Sequence, residues 1–143
     1  MFQRWTTALS RFAGNKRGSV AVIFGGMSVA FLLAGGLAVD YARIVDMRER
    51  LTTAADSASQ AAGRAMREGR LTDIEVLRLA EASFEDSVAR ARNVGTIEAP
   101  SIIINRAAGS VSVDVTAVVA MTVSRIGGVT EMTVPVTSTA VYR

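Results

Sequence analysis

The 143-residue chain contains no cysteine and no histidine. No disulfide framework can form, although an exported domain could have used one. Zinc sites of the Cys/His type and any Ser-His or Cys-His nucleophile pair are likewise excluded. Lys16 is the one lysine, and it lies in the N-terminal arm. One tryptophan and two tyrosines provide no aromatic platform for sugars or bases. No glycine-rich loop follows a strand and opens a helix, so nothing cradles a phosphate. The two prolines, Pro100 and Pro135, fall in the last third, which leaves the first hundred residues free for long helices.

Charge is missing altogether from Gly18 to Val39, a run of 22 residues. As a helix it would extend roughly 33 Å, enough to cross a hydrocarbon core of about 30 Å. Arg4, Arg11, Lys16 and Arg17 precede it with no acid among them. By the positive-inside bias they keep the N-terminus in the cytoplasm and export everything after Asp40. The net charge of +3 thus belongs to topology, since residues 40–143 hold 12 arginines against 13 acids, or −1. The exported part offers no basic field for nucleic acid.

The run is longer than a cleaved signal's core and favours an anchor, while Gly36-Leu37-Ala38 offers the alternative of a cut after Ala38. That cut would release a periplasmic binding domain. Gly26, Ala30, Ala34 and Ala38 follow one another at i, i+4. They form either a ridge for close helix–helix contact in the bilayer or simply the composition common to membrane helices.

Past Asp40 the helical period continues through Ile44, Met47, Leu51, Ala54, Ala58, Ala61 and Ala65. Leu51, Ala54, Ala58 and Ala61 present either a core-facing stripe or a stalk face against partner helices. Thr72-Asp73-Ile74-Glu75 has the form of a capping box and opens a second helix with a stripe at Ile74, Leu77, Ala80, Phe84, Val88 and Ala91. Asn93-Val94-Gly95 is expected to end it. After Pro100 the period changes to two. Ser101–Arg106, Val111 to about Val123 and Thr130–Tyr142 read as three strands of an antiparallel meander, with Pro135 marking an edge or a bulge. The predicted class is α+β: a long transmembrane and stalk helix and a second helix on a small antiparallel sheet. The expected divisions are a basic arm (1–17), a membrane helix (18–39), a helical hairpin (40–95) and a sheet (96–143).

Little here carries chemistry. Glu81 and Glu85 share a helix face and are the one carboxylate pair a hydrolase could use. An ordinary solvated helix face accounts for them far better, since exposed charge runs are commonplace. No catalytic, metal or cofactor-binding residue is assigned, and no enzyme is expected.

The segment Arg17–Phe24 (RGSVAVIF), the stretch Gly36–Arg43 (GLAVDYAR) and Leu51–Ala58 (LTTAADSA) together resemble TadE/TadG-like proteins of the Tad (Flp) pilus system. Thr52 stands where that family usually has Gln. The resemblance implies a pilin-like, membrane-anchored component of a pilus or secretion apparatus, with other assembly proteins or further copies of itself as partners and no small-molecule substrate. It also implies a candidate prepilin-peptidase cut between Gly18 and Ser19. Ile23 occupies the position where that enzyme expects Glu, which sets the chain closer to the TadG side.

Overall fold

A computed structural model describes residues 16–89, 92 and 95–142. Arg4 and Arg11, together with Ala91, Asn93 and Val94, lie outside the described residues. The chain divides between Ala38 and Val39 into two compact units. Helix α1, Lys16–Glu68, runs through both without interruption.

In the first unit the apolar side chains face outward, Leu32 being 76 % exposed and Val20, Phe24 and Phe31 nearly as much. Ser28 donates its hydroxyl to the Phe24 carbonyl at 2.8 Å, so that polar group is satisfied within the helix. Among the described residues this is the one helix long and apolar enough to cross a membrane.

The second unit is α+β. Helix α1 ends at Gly69, whose φ of 66° is the left-handed conformation that closes a helix without a Cβ penalty. Helix α2, Asp73–Val88, opens on the predicted capping box, with Thr72 and Glu75 each bonding the other's backbone N–H. The Ser57 and Ser83 hydroxyls lie 3.1 Å apart. They are about equally far from the turn, as an antiparallel helical hairpin requires.

Four antiparallel strands follow: β1 (Thr96–Ile97), β2 (Ser101–Asn105), β3 (Ser110–Ala120) and β4 (Glu131–Val141). β3 is central, with β4 along one side and β1 and β2 in succession along the other. Thr96 faces Val118 but Ser101 faces Asp114, so one extra residue is accommodated around Pro100. It is a bulge in an edge strand that cannot donate there. Pro135 opposes Thr116 in β4, also an edge, and the register holds unbroken from Glu131 to Val141. Of the two predicted alternatives for Pro135, the edge applies and the bulge does not.

The core lies between α1, α2 and the inner sheet face. Val111, Val113, Val115, Ala117 and Val119 alternate inward from β3 and meet Met47, Leu51, Ala54, Ala58 and Phe84. Two stripes differ from the expected ones. On α1 the buried set passes from Ala58 to Ala62, leaving Ala61 half-buried. Spacings of three and four average 3.5 residues, and a straight α-helix drifts from that repeat by about 20° per heptad. On α2 the buried set is Val76, Ala80, Phe84 and Val88, while Ile74 is exposed. Ile74 lies roughly 100° around the helix from the centre of that set.

Candidate functional site

Asp40 is the first charge after the apolar run, yet it is 2 % exposed and buried in the second unit. β3 stops at Ala120, short of the expected Val123, because the next amides turn out of the ladder toward this carboxylate. Thr122 N–H donates to Oδ1 at 2.9 Å, and the Val123 and Ser124 amides donate to Oδ2 at 2.8 Å each. The Ser124 hydroxyl adds a fourth bond at 2.9 Å. Successive N–H groups converging on one oxygen pair form a concavity suited to an anion. The backbone hydrogen bonds from Ser124 and Thr122, with the Ser124 hydroxyl and Val123 amide, hold the Asp40 carboxyl well below the usual carboxylate range against the opposing effect of burial. Such a group is a fixed anion and a poor base.

Arg43 lies three residues on, on the same side of α1, and donates to the Thr122 hydroxyl at 2.8 Å. Asp40 and Arg43 thus clasp both the backbone and two side chains, Thr122 and Ser124, of the β3–β4 connection. Tyr41, between them, is 69 % exposed.

Further along α1 a second set of bonds reaches β4. Ser138 donates to Asp56 Oδ1 at 2.6 Å, and the Ser59 hydroxyl lies 3.0 Å from that of Ser138. Ser59 is buried beneath the sheet. Gly63 closes the row: a Cβ there would stand 3.3 Å from that of Ala140. From Asp40 to Gly63 the helix is therefore fastened to the β3–β4 hairpin.

Leu51, Ala54 and Ala58 are fully buried within this same domain. Gly26, Ala30, Ala34 and Ala38 are exposed, and a Cβ added at Gly26 would meet nothing within 4 Å. Lys16 and Arg17 open α1, Gly18 is half-buried in its first turns, and Ser19 and Ile23 are exposed. Glu81 and Glu85 are both exposed on α2, and Glu85 chelates the Arg92 guanidinium at 2.6 and 2.7 Å. An open depression of about 300 Å³ on the outer sheet face is lined by Glu98, Ser101, Asp114, Thr116, Pro135 and Thr137. Among the described residues no cluster of three or more acidic side chains could hold a metal ion.

Sequence reasoning treated Asp40 as a flank of the membrane run and gave it no partner. The available signal was a lone acid bordering an apolar segment together with the hydroxyl-rich Thr122-Val123-Ser124 before a glycine turn. Neither pattern specifies that the two meet.

No curated protein and no solved structure matches this chain. Residues 18–65, which carry the apolar run, Asp40, Arg43, Asp56 and the buried alanines, match the Tad family of Flp pilus-assembly TadE/G-like domains.

Proposed function

We propose that the chain is a single-pass structural component of a Tad-type pilus or secretion apparatus. In this reading residues 18–39 cross the bacterial inner membrane, with the N-terminus cytoplasmic and the 39–143 unit periplasmic. The protein works by packing, not catalysis. The observation that carries this reading is the family match over 18–65, which spans the exposed apolar helix and both acids that fasten α1 to the sheet.

The surface left for partners within the bilayer is the small-residue face Gly26, Ala30, Ala34 and Ala38, which suits close packing with other assembly proteins or a second copy. Leu51, Ala54 and Ala58 are fully buried in the domain's own core, which supports the core-facing reading of that stripe. Ile23, in place of Glu, favours the TadG-like side and retention of the segment uncut at Gly18-Ser19. The test is co-purification of partners from membranes by the Ala30→Leu variant. Reduced recovery with an unchanged circular dichroism spectrum is expected, and undiminished recovery overturns the packing role.

One observation favours the released-domain reading: the compact unit begins at Val39, where a cut after Ala38 would leave it. Intact mass of the native protein in membrane and soluble fractions separates the two. A soluble species starting at Val39 would replace the anchored component.

A further inference from the structure

We propose that the β3–β4 connection, Arg125–Val129, rests on the lipid surface from which α1 emerges. The inference depends on residues 18–39 being a membrane span. Asp40 is covalently next to the last residue of that run, so its backbone lies at the boundary of the apolar layer. Its carboxylate holds the amides of Thr122, Val123 and Ser124. That backbone is therefore at the boundary too.

Within the 39–143 unit the hairpin runs so that its connection lies at the Asp40 end of α1, the end joined to the apolar run. Ala140 meets α1 at Gly63 and Ser138 meets it at Asp56 and Ser59, whereas Thr122–Ser124 meet it at Asp40. From Gly63 back to Asp40 the helix spans about 35 Å. From Ala140 back to Thr130 the strand spans about 34 Å. Thr130 then stands level with Asp40, joined to Met121 by a 2.9 Å bond across the hairpin. Arg125–Val129 form the tip beyond that pair.

The composition of the tip fits the same occupant. Ile126 is 76 % exposed, the most exposed large apolar side chain among the described residues of the 39–143 unit, and Val129 is 45 % exposed. The exposed Ile74 and Ile103 lie on α2 and β2, away from Asp40. No acid occurs from Met121 to Thr130, while Arg125 supplies a cation for anionic headgroups. Tyr41 adds an exposed ring of the interfacial type next to Asp40. The 3-10 turn Ser124–Gly127, closed by Gly128 at φ 90°, presents Ile126 outward.

The absence of cysteine allows single-site labelling of the full chain. Ile126→Cys, Val129→Cys, Thr139→Cys at the opposite end of the hairpin, and Leu37→Cys inside the run each receive an environment-sensitive fluorophore. The labelled proteins are reconstituted into phosphatidylcholine/phosphatidylglycerol vesicles with or without lipids spin-labelled near the headgroup. The expected result is severalfold quenching at 126 and 129, none at 139, unchanged when the protein is diluted with lipid. Quenching at 37 without quenching at 126 overturns the lipid contact and leaves the span intact. No quenching at 37 overturns the span and the contact with it. A blue shift at 126 that disappears on dilution assigns the tip to a second copy and overturns the lipid contact.

Discussion

The Asp40 carboxylate accepts two hydrogen bonds from Ser124, one from its amide and one from its hydroxyl, across 84 positions of sequence. Because these bonds favour the ionised form, the folded-state pKa lies below the unfolded one. The resulting stability is fully present above the ordinary carboxylate range near pH 4 and is lost as the pH falls through and below it. Thermal melts of the full chain in detergent should show Tm falling on acidification. Asp40→Asn, which places an amide donor among converging N–H groups, should lower Tm at pH 7 and flatten the acid limb. An unchanged acid limb in this variant would remove Asp40 as its origin.

The helix N-terminus at Thr72 responds to acid in the same direction. The Thr72 amide and hydroxyl both donate to Glu75, and these bonds hold the Glu75 carboxyl below its ordinary value. Thr72→Ala should cost about 1 kcal/mol, the usual loss for an N-cap of this type. Urea unfolding measures it, and an unchanged midpoint would mean α2 is held by its buried stripe alone.

Two alanines on one helix should separate assembly from folding. Ala58 is fully buried in the core, so Ala58→Leu overpacks the domain and should cost about 1–3 kcal/mol or more. Ala30 is exposed in the apolar run, so Ala30→Leu should leave the 39–143 unit's melting unchanged. Equal loss of Tm in both variants would contradict this division.

Much of the architecture was legible because its signals are local. The alternation of Val111, Val113 and Val115 gave the inward face of β3, and Thr72-x-x-Glu75 gave the start of α2. Pro135 marked an edge strand because a missing N–H is tolerated where no neighbour needs it. What escaped depends on contacts distant in sequence. Two-residue β1 has no period of its own and exists because Thr96 and Ile97 reach Val118 and Ala117. The step from Ala61 to Ala62 follows from helical drift, which a repeat read from spacings of three and four hides. The clasp was hidden because Asp40 and Thr122–Ser124 are each ordinary in their own surroundings. Phe84, the largest fully buried side chain, was placed correctly, but the stripe around it was centred too near Ile74.

Gly95 distinguishes a glycine required by close approach from one required by backbone conformation. Its φ is not positive, yet a Cβ there would lie 2.6 Å from the Val118 carbonyl oxygen and 3.0 Å from Met47 Cε. Met47 Cε ends a flexible side chain and can move. The Val118 carbonyl cannot move freely, because Val118 pairs with Thr96 on one side and Thr133 on the other. Gly95→Ala should therefore destabilise by about 1–3 kcal/mol as overpacking at a rigid site. Met47→Ala should add its own cavity loss instead of rescuing the first substitution. Urea unfolding of the two single variants and the double variant forms the test. A double variant more stable than Gly95→Ala alone would show that Met47, not the Val118 carbonyl, limits the space at Gly95.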